Sequence, residues 1–379
     1  MHYLDSLVAD TTVCTCCIIL LVTTVCLNRR HLFYVNLPSN SGTGYFMLWI
    51  VFTIYSSLYC PPLGDNWRSG VDFYYPYLQG VSEDNLHFEH IYFRIMDLVP
   101  YGYVFWRIAV WGVLGATSYI ILCKLLKFDK HIATIMCLTF ALPNLFYYQR
   151  AVIGYCLLYI GVALWLKEYG FFRTKINNIL LSIVLLLVSL AFHNAMPFYL
   201  TILVLSFYIP INKKTLFLIL ITGVVCSLSI INYATLFLEN TSKETYDVGM
   251  NYLMQEHENS RNIFGKMFFN LEKLPAYVII LFSLYLKLED KYKFERFEEI
   301  CLTNSFMLVF ISLLFSSTSI VIQGKFYVAS MLPLTLFLTY FFQKNRGSKI
   351  CRFFIYLTLL CLVLTNGYRI LTGQLYNTI

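Results

Sequence analysis

Three ionisable residues stand where an apolar chain turns. Arg150 lies between the apolar runs 132–146 and 151–166, His193 lies between 179–190 and 195–209, and Asp72 follows Gly70-Val71 in a longer polar stretch. Each residue type suits a step of group transfer. A guanidinium stays charged and can pair two of its N–H groups with phosphate oxygens. An imidazole exchanges a proton near neutral pH. A carboxylate within hydrogen-bond reach of a hydroxyl acts as a general base. Ionisable groups at membrane depth are costly and mark pathways or reaction sites. Structural alternatives stand beside each: an interfacial arginine that snorkels to lipid phosphate, a packing histidine at a helix end, and a solvated loop aspartate.

Other polar groups accompany them. Asp65 and Arg68 share the Asp72 stretch, followed by Tyr74, Tyr75 and Tyr77. These tyrosines could stack on sugar faces or form an interfacial belt. His87-Phe88-Glu89-His90 puts two imidazoles and a carboxylate within one turn. That spacing fits no zinc signature, so no metal site and no cofactor are assigned, and Glu89 and His90 read as substrate-side or loop-packing groups. Arg261, Lys266, Lys273, Lys325 and Arg369 could form a cationic cradle for a pyrophosphate, or could be solvated loop residues. Arg107, inside a predicted helix, needs a polar partner.

The elements that must hold these groups follow from composition. Hydrophobic residues make up 58% of the chain, charged residues 13%, and the mean hydropathy is +0.64. A soluble fold has about 25% charged residues. The chain therefore reads as an all-α, polytopic integral membrane protein in one domain, residues 1–379. The net charge of +7 comes mostly from basic connectors and calls for no nucleic-acid partner. The twelve cysteines lie largely within apolar runs, without a Cys-x-x-Cys, and read as buried hydrophobes. The stretch before the first apolar run carries Asp5 and Asp10, while Arg29-Arg30-His31 follows it. That is the reverse of a cleaved signal.

Spanning helices of roughly 20 apolar residues are expected near 11–27, 45–60, 104–123, 131–148, 151–166, 178–193, 195–210, 215–238, 275–288, 300–316, 326–342 and 350–366, about twelve in all. The connectors 28–44, 124–130, 167–177, 211–214, 289–299 and 343–349 hold most of the Lys and Arg, which makes them cytoplasmic by the positive-inside rule. The other set faces outward with both termini. It contains 61–103, 149–150, the 193–194 corner, 239–274 and 317–325, so Asp72, Arg150 and His193 share one side. The two larger outward loops, 61–103 and 239–274, are expected to cover one cavity.

The motifs then resemble those of a known family. Gly70-Val71-Asp72 with its tyrosines, and Glu89-His90-Ile91-Tyr92, resemble the first-loop Gly-x-Asp and Glu-x-x-aromatic elements of EpsG-type, Wzy-like polysaccharide polymerases. Arg150 resembles the start of that family's Arg-Gln-x-x-Ala element, and Phe192-His193-Asn194-Ala195 its Phe-His-x-Ser-Ala element. The resemblance covers roughly residues 45–210. Ala151, Gly154 and Asn194-Ala195 depart from the family's pattern.

The resemblance implies a GT-C-like glycosyltransferase of the bacterial cytoplasmic membrane with its site on the periplasmic or outer face. Such an enzyme polymerises repeat units of O-antigen, capsule or exopolysaccharide. It moves the growing glycan from undecaprenyl pyrophosphate onto a hydroxyl of a new lipid-linked unit. Arg150 would hold the leaving pyrophosphate, with Arg261 and Lys325 as helpers. His193 or Asp72 would be the base, and Arg68, Glu89 and Tyr75 would contact substrate. The implied partners are the undecaprenyl-pyrophosphate-linked oligosaccharide, membrane lipids, a flippase and a chain-length regulator. Rival classes are a lipid-linked oligosaccharide flippase or other transporter, which often shows inverted repeats, and a membrane acyltransferase modifying glycans. No repeat is visible, and the polar groups gather toward one face.

Overall fold

The structure is a computed structural model, and it describes residues 98, 109, 113–129, 132–133, 136, 149–166, 170–172, 174–192, 195–227, 263–315 and 320–372. Helices hold 84% of these residues, and none is in a strand. The helices are α1 (Ala116–Leu125), α2 (Gln149–Trp165), α3 (Lys175–Leu190), α4 (Met196–Tyr208), α5 (Lys213–Ser227), α6 (Ile263–Leu288), α7 (Arg296–Leu314), α8 (Ile320–Lys344) and α9 (Lys349–Thr372). Two spans among the described residues are long and apolar enough to cross a membrane, Arg296–Leu314 and Gln323–Lys344. The helices expected at 11–27, 45–60 and most of 131–148 lie outside the described residues, as does the 61–103 loop apart from Leu98.

The chain divides into two compact units, Met1–Thr201 with Leu338–Leu375, and Ile202–Phe337 with Tyr376–Ile379. In the first, α3 shows how the sequence builds its helices. Its buried positions include Asn178, Ser182 and Ser189. At about 100° per residue these polar groups fall within roughly 40° of one another. Ile176, Leu180, Ile183, Val184, Leu187 and Val188 are exposed on the other side. Polar inside and apolar outside is the inverse of a water-soluble helix, and so large an apolar face is costly in water but not in hydrocarbon.

The buried polar face of α3 is fully used. Asn178 Oδ1 accepts from the N–H groups of Phe171 (3.1 Å) and Phe172 (3.0 Å), and its Nδ2 donates to the carbonyls of Phe172 (2.8 Å) and Thr174 (3.3 Å). This one amide orders the loop before α3. Gly170 permits it, since a Cβ there would lie 2.6 Å from Asn178 Nδ2. Farther along, Ser182 Oγ donates to the Gly161 carbonyl of α2 at 2.6 Å. A Cβ on Gly161 would meet Leu186 at 3.0 Å and the Ser182 carbonyl at 3.3 Å, so glycine lets the two backbones approach.

Elsewhere in this unit, the segment after α1 is fastened to the end of α8 and the turn that follows it. Arg346 donates to Asp129 Oδ2 at 2.5 Å, Gln343 Oε1 accepts the Asp129 N–H at 3.1 Å, and Phe128 packs edge-on against Tyr340 at 4.8 Å.

In the second unit, α7 is buried on most sides and carries Thr303, Asn304, Ser305 and Ser312 inward. Most of these hydroxyls bond a carbonyl four residues back, as Thr303 does to Glu299 and Ser305 to Cys301, both at 2.8 Å. Asn304 Nδ2 reaches Ser206 of α4 at 3.2 Å, and Ser312 Oγ reaches the Gln323 carbonyl of α8 at 2.8 Å. The α7 start is fixed by a capping box of Glu295 and Glu298. Lys287 pairs with Glu299 at 2.5 Å, Lys213 pairs with Glu289 at 3.1 Å, and Arg296 caps α4 through the Phe207 carbonyl.

Several boundaries differ from the sequence expectation, two of them at stretches that carry lysines. Helix α6 begins at Ile263, inside the stretch assigned to the 239–274 loop. Lys266, Glu272 and Lys273 suppress the average hydropathy there, yet Ile263, Phe264, Met267, Phe268, Leu271 and Leu274 recur at helical spacing. The helix also continues through Pro275, which leaves the Leu271 carbonyl without its usual backbone partner. Helix α8 begins at Ile320, so Lys325 belongs to a helix and not to the 317–325 connector. The apolar triplet Ile320-Val321-Ile322 starts the helix before the polar residues Gln323 and Lys325.

Candidate functional site

Arg150 occupies the first turn of α2, which starts at Gln149. From Ala151 onward this helix is almost wholly buried: Ala151, Val152, Ile153, Tyr155 and Cys156 are each under 5% exposed.

The feature that joins this turn to another predicted site is Gly154. A Cβ there would lie 2.8 Å from Met196 Cε, 3.1 Å from Met196 Sδ and 3.3 Å from Phe192 Cβ. Phe192 is the last described residue after α3, and Met196 opens α4. The two therefore flank the Phe192-His193-Asn194-Ala195 corner and press on α2 one turn past Arg150. One turn farther along α4, Tyr199 meets Tyr155 edge-on, with ring centres 5.3 Å apart.

Asp72, Arg68, Tyr75, Glu89, His193 and Arg261 lie outside the described residues.

Lys325 is described and half-exposed in the first part of α8. It stands about 200° around the helix from Tyr327. The residue brought to Tyr327 is instead Lys273 of α6, which is 2% exposed with its Nζ 5.5 Å from the ring centre. Tyr277 lies edge-on to the same ring at 6.4 Å. A cation over an aromatic face gains about 0.5–2 kcal/mol. In the sequence Lys273 was one of several outward cations; its place three, four, seven and eleven residues before Ala276, Tyr277, Ile280 and Leu284 was the signal that it shares their face.

Cations on the connectors between helices are differently placed. Lys291 donates to the Tyr285 hydroxyl and stands 4.4 Å from its ring centre. That hydrogen bond, helped by the charge of Glu289, holds its ammonium above the usual lysine range. Comparison with protein-family models, with curated proteins and with solved structures found no match.

Proposed function

We propose that this chain is a repeat-unit polymerase: a polytopic, GT-C-like membrane glycosyltransferase that elongates a lipid-linked glycan on the outer face of the cytoplasmic membrane. The observation that carries the reading is the packing of the α2 start onto the α3–α4 corner through Gly154. It supports a shared role for Arg150 and His193, which are far apart in sequence. The inverted polarity of α3 and the two long apolar spans support a hydrocarbon surrounding.

In this reading the donor is a glycan on undecaprenyl pyrophosphate. An acceptor sugar hydroxyl loses its proton to His193 or Asp72 and attacks the anomeric carbon. The bond from that carbon to the pyrophosphate oxygen breaks, and the pyrophosphate leaves with its charge stabilised by Arg150. Arg68, Glu89 and Tyr75 bind the acceptor sugars. The reaction needs no redox step. A flippase delivers the substrate and a chain-length regulator limits the product.

Two measurements test this. In liposomes loaded with lipid-linked repeat units, the polymerase reading predicts longer glycans; translocation without elongation would instead establish a carrier. The base is assigned from the pH profile of the rate. A histidine base gives an acid limb near about pH 6–7, and a carboxylate base places that limb about two units lower. A limb in the carboxylate range that persists in His193→Ala assigns the proton to Asp72.

A further inference from the structure

We infer that the exposed face of α9, headed by Lys349 and Arg352, is a docking surface for an anionic phospholipid. The inference rests on the membrane setting of the chain and is independent of the polymerase reaction.

Charge is the first observation. The segments 113–129 and 338–372 belong to one unit. Their connector ends carry Lys124, Lys127, Lys344, Arg346, Lys349 and Arg352, and the one carboxylate in the two segments is Asp129. Arg346 takes Asp129 at 2.5 Å. The connector 289–299 of the other unit instead sets Glu289, Asp290, Glu295, Glu298 and Glu299 against Lys291, Lys293 and Arg296. One connector carries its own counter-charges, and the other is left with a cationic excess.

The contacts gather these cations. The Gln343 amide accepts the Asp129 N–H at 3.1 Å and donates to the Lys127 carbonyl at 3.5 Å. Lys344 Nζ lies 5.9 Å from the centre of the Tyr340 ring, against which Phe128 packs. Arg352 Nη2 donates to the Gly347 carbonyl at 3.3 Å, one residue past Arg346. The turn that sets Lys349 is itself fixed: Gly347 has a φ of 78°, and Ser348 Oγ caps α9 by accepting the Cys351 N–H at 3.2 Å.

The second observation is the order of residues along α9. At about 100° per residue, Arg352, Phe353, Tyr356, Leu360 and Leu364 all fall within roughly 60° of Lys349. The last four are 44–57% exposed, while Cys351, Phe354, Ile355, Thr358 and Cys361 are buried on the opposite side. From Phe353 to Leu364 the helix rises about 17 Å, against about 15 Å for the hydrocarbon of one leaflet. The face therefore has the length and order of one lipid. A phosphate pairs with the ammonium of Lys349 and the guanidinium of Arg352, and the acyl chains lie over Phe353 to Leu364. A soluble acidic partner would use the cations but not the apolar stripe that follows them. Helix α5 has a similar order, Lys213 and Lys214 before the exposed Phe217, Leu218 and Ile221, but there Lys213 pairs with Glu289 at 3.1 Å.

The test places the full chain in liposomes of phosphatidylcholine and phosphatidylglycerol, each in turn photoactivatable in its acyl chain, with no glycan substrate present. Labelled peptides are mapped by mass spectrometry. Phosphatidylglycerol should be preferred at 353–364 of α9, and by more than at 217–225 of α5. A basic residue near an anionic surface is worth roughly fivefold in affinity. Lys349→Gln with Arg352→Gln should therefore lower the α9 preference by up to about 25-fold, Arg352→Lys should keep most of it, and added salt should erode it. Equal labelling of α9 by the two lipids would overturn the inference, as would a preference unchanged in the double variant. If that variant does not insert, the salt series on the unsubstituted chain decides, and a salt-independent preference overturns it. Absence of label from both lipids would give the face to a second copy of the chain, and displacement by inorganic phosphate would give the cations to a soluble anion; either result overturns the lipid. Since no glycan is present, failure of the polymerase reading leaves these results standing.

Discussion

The helix ends of this molecule hold their polar residues in two opposite ways. At the connectors that the sequence reads as cytoplasmic, charge is matched by charge: Arg346 with Asp129, Lys287 with Glu299, and Lys213 with Glu289. At the corner where α2 begins and α3 passes to α4, the described contacts are apolar, made by Gly154, Phe192, Met196 and the Tyr155–Tyr199 pair. The first arrangement consumes charge to fasten helices. The second fastens helices through close apolar packing. Basic residues at the two ends therefore have different expected fates under mutation. Those at the connectors should matter to stability, and Arg150 should matter to rate.

Substitutions can break or sharpen that contrast. The largest effect is expected for Arg150→Ala, which should lower elongation by about 100- to 1,000-fold while single lipid-linked units are still made and the unfolding temperature barely moves. Glycan sizing beside thermal unfolding checks it, and normal chain length in the folded variant would remove Arg150 from the reaction. Next is Gly161→Val, which forces α3 away from α2 and should cost about 1–3 kcal/mol, read by denaturation in detergent. Arg346→Ala removes the cation paired with the half-buried Asp129. A cost of about 1–3 kcal/mol, between exposed and buried pairs, is expected, with unchanged activity per folded molecule. Ser182→Ala removes one hydrogen bond and should cost about 0.5–1.5 kcal/mol. Lys213→Ala, on a largely exposed pair, should cost under about 1 kcal/mol and lose even that at high salt.

Much of the helical plan was legible in the apolar runs. The expectations at 151–166 and 195–210 fall within two residues of α2 and α4. The 178–193 expectation runs three residues late, because the Asn178 amide orders the preceding loop and lets α3 start at Lys175. The starts of α6 and α8 were not legible from average hydropathy, since amphipathic turns carrying Lys266, Lys273 or Lys325 look like loops to a window that ignores angle. At the candidate site, the types of Arg150 and His193 suggested chemistry at once. The seat of Phe192 and Met196 on α2 depends on Gly154, a residue whose significance is the absence of a side chain. Of the cations read together as outward, Lys273 is buried against Tyr327 while Lys325 is half-exposed, because burial follows the face of a helix and not the side of a connector.

The most direct test of the account is elongation by the purified protein. Lipid-linked repeat units incubated with the unsubstituted chain and with Arg150→Ala should give a ladder of longer glycans in the first case and single units in the second. Unextended units with the unsubstituted chain, or equal ladders from both proteins, would contradict it.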